Sequence, residues 1–112
     1  MQPLPLEIAP RDVKQRLNAG ERIQLIDVRE PAEHAISRIA EADLIPMGGV
    51  PSQLQRLEAA ADDNLLVVFC HHGVRSLNVV SWLRQRGVEN CQSMAGGIER
   101  WSEDIDTSVP RY

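Results

Sequence analysis

The sequence predicts an α/β protein, a doubly wound five-stranded parallel sheet flanked by helices, and three observations lead there. Leu65–Phe69 is apolar at every position, as in a strand covered on both faces, and parallel strands usually are. Short strand-like runs alternate along the chain with segments whose apolar residues recur at helical spacing, and such alternation builds a parallel sheet through right-handed crossovers. The 112 residues, 43% apolar and 25% charged, suit one globular domain that buries about two-thirds of its unfolded surface. That domain is expected to fill residues 1–112, with its core at about 6–104 and a tail at 105–112 draped over the surface.

The elements follow in order. Residues 6–9 read as a short edge strand, and Pro10 suits the first turn of a helix through Val13 and Leu17 that stops at Gly20. Residues 23–28 form a second, almost continuously apolar strand. It ends in Asp27-Val28-Arg29-Glu30, after which Pro31 opens a short helix through His34 and Ile36. Residues 42–46 are the third strand, followed by a glycine-containing connection, Met47 to Pro51. A helix over 50–61 turns Leu54 and Leu57 inward, and Asp62-Asp63-Asn64 makes the turn before the apolar fourth strand. From Ser76 the positions Leu77, Val80 and Leu83 recur at helical spacing, with Val79 and Trp82 beside them, until Gly87 stops the helix. Residues 88–94 are the fifth strand, Ala95-Gly96-Gly97 the turn, and 98–104 a last helix with Trp101 packed inward.

The charge balance narrows the partners. A net charge of −4 and a pI near 5.3 argue against a nucleic acid or an anionic membrane. The longest apolar run is far shorter than a membrane span, and the first ten residues lack the basic start and apolar core of a signal peptide. The expected location is the cytoplasm. Two cysteines are too few for a disulfide framework and lack the paired spacing of a zinc site. Cys91 reads as a buried strand residue, with a resolving thiol as the alternative.

Cys70 follows the apolar strand directly, and in an open α/β sheet the carboxyl end of a strand, facing a helix N-terminus, is where ligands bind. A lone cysteine there is usually an inert small hydrophobe. The residues that follow it, His71, His72, Gly73, Val74, Arg75 and Ser76, suit a functional loop better than a core turn. A helix N-terminus favours an anion by roughly 0.3–1 kcal/mol. A cation about 4 Å away adds up to ~4 kcal/mol at an effective dielectric of ~20, and Arg75 is placed to supply it if the loop curls back. Cys70 is therefore expected to act as a thiolate. Arg29 leaves the same sheet edge, either as a solvated arginine at a helix start or as a substrate-binding one. Asp27, in a buried strand, is expected to tie down a neighbouring loop through backbone N–H groups. Ser76 fits a cap on the first helical turn, and His34 reads as an unassigned surface residue.

Four segments in order, LIDVREPAEHA, CHHGVRS, RQRGVEN and MAGGIERW, resemble the single-domain rhodanese family over most of the chain. The resemblance implies the rhodanese fold and a sulfurtransferase in which Cys70 carries a persulfide. It implies that the backbone from His71 to Arg75 is the cradle, that Arg29 meets an anionic donor and that Asp27 supports the site. Ser37-Arg38-Ile39 departs from the family's usual glycine-histidine-isoleucine and brings an extra positive charge. The implied reaction takes a sulfane sulfur from thiosulfate or a similar small anionic donor and passes it to cyanide or a thiol. No metal or organic cofactor is called for. His71 and His72 read as pocket lining or donor recognition. Two other readings remain: a relay that takes persulfide sulfur from one protein and gives it to another, and a cysteine phosphatase. The phosphatase needs five residues between cysteine and arginine, and this chain has four, His71 to Val74.

Overall fold

The computed structural model describes residues 4–112; the opening three residues of the N-terminal stretch lie outside them. The chain runs β1 (Glu7–Ile8), α1 (Pro10–Asn18), β2 (Ile23–Asp27), α2 (Pro31–Ile36), β3 (Asp43–Leu44), α3 (Leu54–Asp63), β4 (Leu65–Phe69), α4 (Val74–Gln85), β5 (Cys91–Met94) and α5 (Gly97–Asp104). All strand pairs are parallel, in the order β1-β5-β4-β2-β3, so β4 is central and delivers Cys70 to the middle of the sheet's carboxyl edge.

The missing alternation in β4 has a direct cause. Leu66 and Val68 pack with Leu57 of α3 and with Val79, Val80 and Leu83 of α4, while Val67 and Phe69 pack with Val13 of α1 and with Ile98 and Trp101 of α5. With helices on both faces no position in the strand meets water, and apolar side chains are favoured throughout. Cys70, next in the alternation, falls on the α3/α4 face and is 1% exposed.

Several boundaries differ from the expected ones. The third strand shrinks to two paired residues, because Pro46 has no N–H to give and the chain turns into short 3₁₀ segments, Met47–Gly49 and Pro51–Gln53, before α3 begins. The fifth strand starts at Cys91, since the Val88 N–H closes the end of α4 on Leu83 O. In turn α4 starts at Val74, because Gly73, at φ +104°, sets the chain into the helix earlier than the apolar periodicity indicates.

Candidate active site

The loop after β4 is built around one sulfur atom. Cys70 Sγ accepts the Gly73 N–H at 3.1 Å and the Ser76 N–H at 3.4 Å, and lies 3.5 Å from Ser76 Oγ. The left-handed backbone at Gly73 makes this curl possible, since a side chain there would be strained at φ +104°. Two N–H groups at the start of α4 thereby point at the sulfur, a placement that favours negative charge on it.

A second helix holds the loop from outside. The unsatisfied N–H groups of the first turn of α5 donate to loop carbonyls, Ile98 N to Cys70 O at 2.9 Å and Glu99 N to His71 O at 3.1 Å. This approach requires glycine at position 97, where a Cβ would sit 2.5 Å from Cys70 O and also against His71 O. The Gly73 and Ser76 N–H groups thus meet the sulfur while the carbonyls of Cys70 and His71 are spent on α5.

The arginines lie elsewhere than the sequence indicates. Arg29 has no exposed surface, and all five of its N–H donors are taken. Nε and Nη2 fork onto Asp27 at 2.9 and 2.8 Å, Nη2 also reaches Ser37 O at 2.6 Å, and Nη1 donates to Glu33 O and Tyr112 Oη. Burial opposes its charge, but the hydrogen bonds to Asp27 and Tyr112 outweigh this and raise its pKa. No donor remains for an anion, which corrects the substrate-binding reading of Arg29: the geometry gives it an anchoring duty. Asp27 also accepts the Arg29 N–H at 3.0 Å and lies 3.0 Å from His34 Nδ1, so His34 belongs to this cluster and is no idle surface residue.

Arg75 does not curl onto the sulfur. Its guanidinium forks onto Glu33 of α2 at 2.7 and 2.9 Å. Those hydrogen bonds hold the Glu33 carboxyl far below its ordinary range, with the Tyr112 hydroxyl adding to the effect, and raise the pKa of Arg75. Val74, beside it, points to solvent with 70% of its surface exposed.

The tail is bound by specific contacts. Ser102 Oγ donates to Val109 O at 2.6 Å, and Tyr112 donates its hydroxyl to Glu33 at 2.7 Å. The Tyr112 ring stacks on His71 at 3.9 Å and 7°, and His71 stacks on His72 at 3.9 Å and 26°. His71 Nε2 lies 3.4 Å from Glu99, whose carboxylate is held mainly by Arg111. Ligand atoms of His71, His72 and Glu99 come within 4.8 Å of one another. The stack prevents the two imidazoles from serving one ion: their lone pairs lie in the ring planes, and planes tilted by 26° do not meet at bonding distances of ~2.0–2.1 Å.

Cys91 is out of reach of Cys70. It pairs with Leu66, and Cys70 lies four residues further along β4, roughly 13 Å away at ~3.3 Å per residue. A disulfide needs Cα atoms within ~7 Å. Burial raises the pKa of Cys91, and its Sγ donates to Val88 O at 3.3 Å, so the resolving-thiol reading is dropped. Arg38 lines a groove with Lys14, Trp101 and Asp106, none of them part of the Cys70 loop.

Sequence reasoning missed Glu33, Glu99, Ser93 and Tyr112 at the site. Ser93 lies behind the loop with its Oγ 2.7 Å from Ser76 Oγ. These residues come from α2, α5, β5 and the tail and meet only across the sheet's carboxyl edge, so no local pattern marks them. The one available signal was that Tyr112 is the sole tyrosine and ends a tail read as passive.

Comparison with known proteins gives a consistent family. The model of the rhodanese-like domain matches residues 9–104. The chain is 35% identical over 115 residues to the maize protein "Adenylyltransferase and sulfurtransferase MOCS3-2", covering 98% of this chain and 24% of that one. It is 35% identical over 95 residues to "Putative sulfurtransferase YtwF" of Bacillus subtilis, covering 85% and 88%. A solved rhodanese-related protein from Thermoplasma volcanium superposes with a TM-score of 0.77 at 32% identity, covering 90% of this chain and 94% of that one. The chain thus spans about a quarter of the maize protein and most of the other two.

Proposed function

Since the chain belongs to the rhodanese-like domain family, we propose that it is a sulfurtransferase that carries sulfane sulfur as a persulfide on Cys70. The observation that supports this reading most is the convergence of the Gly73 and Ser76 N–H groups on one buried thiol at the mouth of a parallel sheet. In the first half-reaction the Cys70 thiolate attacks the outer sulfur of a donor such as thiosulfate. A sulfur–sulfur bond forms to Cys70, the donor's own sulfur–sulfur bond breaks, and sulfite leaves with the electron pair. In the second half an acceptor thiolate or cyanide attacks the outer persulfide sulfur and Cys70 leaves as a thiolate. The scheme is ping-pong with a covalent intermediate, and the loop's inward N–H groups offset its negative charge as an oxyanion hole does. Neither half requires a metal or an organic cofactor.

With Arg29 and Arg75 engaged by Asp27 and Glu33, recognition of a small anionic donor falls to His71, His72 and the loop backbone from Gly73 to Arg75. The same engagement favours a second reading, a persulfide relay between proteins. The exposed apolar side chain of Val74, in the loop segment itself, would suit a protein donor or acceptor better than a small anion. A phosphatase reading gains nothing from Arg75, whose guanidinium is spent on Glu33.

Intact-mass spectrometry after incubation with thiosulfate tests the proposal. The expected result is a gain of about 32 Da on Cys70 that cyanide removes, absent in Cys70→Ser. Uptake only from a persulfide-loaded protein would favour the relay, and uptake from neither donor would overturn sulfur transfer.

A further inference from the structure

Behind Cys70 lies a buried hydroxyl pair that the transfer scheme leaves unused. Ser93 of β5 and Ser76 of α4 are both 0% exposed, and the Ser76 hydroxyl bridges from Ser93, 2.7 Å away, to Cys70 Sγ at 3.5 Å. Among the described residues Ser93 Oγ has no other hydrogen-bond partner. The two hydroxyls therefore have two protons and two contacts in which to place them.

With the Ser76 side chain in this rotamer, both protons find acceptors in only one arrangement. Ser93 donates to Ser76, Ser76 donates to the sulfur, and the sulfur accepts. If the Ser76 proton turned toward Ser93 instead, the Ser93 proton would be left in the interior without a partner, which costs free energy. A neutral Cys70 thiol adds a third proton to the same two contacts, so one proton is always stranded. Only an anionic sulfur, which accepts and donates nothing, satisfies the chain completely. The Gly73 and Ser76 N–H groups on Sγ impose the same preference from the other side.

We propose that Ser93 is a positioning residue for the Cys70 nucleophile: its hydroxyl directs the Ser76 proton onto the sulfur and so selects the thiolate. The Ser93 contact holds the Ser76 side chain in the rotamer that meets the sulfur; without it the side chain is free to swing to another rotamer and bond a carbonyl of the preceding helical turn, a common choice for serine in a helix. The proposal rests on Cys70 being the reactive thiol, and Ser93 acts through Ser76 without touching donor or acceptor.

The test is the pH profile of Cys70 alkylation by iodoacetamide, with the site located by peptide mapping. Ser93→Ala is expected to alkylate about fivefold more slowly than wild type at pH 6 and at the same limiting rate at high pH, an effect the size of one ordinary hydrogen bond. Ser93→Thr, which keeps the hydroxyl, is expected to restore the profile. In a Ser76→Ala background, adding Ser93→Ala is expected to change nothing further, because the path to the sulfur is already cut. A Ser93→Ala profile that superimposes on wild type overturns the proposal, as does a Ser93→Ala effect of full size in the Ser76→Ala background. Failure of wild-type Cys70 to take up sulfur would remove the sulfurtransferase reading while leaving this alkylation comparison able to decide the role of Ser93.

Discussion

Arg29 keeps a full positive charge in the interior because each of its N–H donors has an acceptor, two of them on one carboxylate. Sequence marks the residue because it leaves the same sheet edge as Cys70, but leaves its direction open. An arginine reaching for substrate and one reaching back to Asp27 have the same local sequence. The two roles part under mutation. Arg29→Ala leaves Asp27 buried without its main partner, and breaking such a pair costs about 3–5 kcal/mol, so urea unfolding is expected to show a loss of that size. A raised KM for an anionic donor at unchanged stability would instead identify a substrate contact.

Among the elements, α5 does most to shape the site without contributing a reacting group. Its first N–H groups hold the carbonyls of Cys70 and His71, on the loop whose Gly73 N–H, with that of Ser76, meets the sulfur. Gly97→Ala puts a methyl group 2.5 Å from Cys70 O at a backbone φ of +61°. The loop must then shift, and sulfur uptake on Cys70 is expected to fall by more than tenfold, since misplacement of about 1 Å costs roughly 10²-fold. Gly20→Ala is the matching control: its φ is +78° but nothing lies within 4 Å, so it shares the backbone strain and is expected to keep full uptake. The Gly96-Gly97 pair was visible in the sequence as a turn. That its second glycine faces the Cys70 loop was not, because the partner atoms lie on the chain before α4.

On the scale of the whole molecule, Glu33 joins three distant parts of the chain, holding Arg75 at the start of α4 and Tyr112 at the end of the tail from its place on α2. The tie has a pH signature. The Glu33 carboxyl is pushed below its ordinary value of 4.5, chiefly by the hydrogen bonds from Arg75, so its contribution to stability is fully present above that value. It is lost progressively as pH falls from about 4.5 toward the depressed folded-state value. Thermal melting from pH 7 to pH 2 should therefore show Glu33→Gln less stable than wild type at neutral pH and declining less steeply below about pH 5. Parallel curves would mean that the ion pair contributes nothing to folding. Glu99 and Asp106, also lowered by their hydrogen bonds, titrate equally in both proteins and cancel from the comparison.

The sequence by itself determined the parallel α/β sheet, the position of Cys70 at the end of its central strand and the loop that follows, since these depend on local periodicity, glycine placement and the alternation of elements. The tertiary structure alone decided where the long polar side chains point. Arg29 turned inward to Asp27, Arg75 across to Glu33, Ser93 toward Ser76 and Tyr112 onto His71, and Cys91 was left at the far end of the sheet from Cys70. Each of these depends on which groups from remote segments arrive at hydrogen-bonding distance. A polar side chain takes its direction from those partners, and local sequence does not contain them.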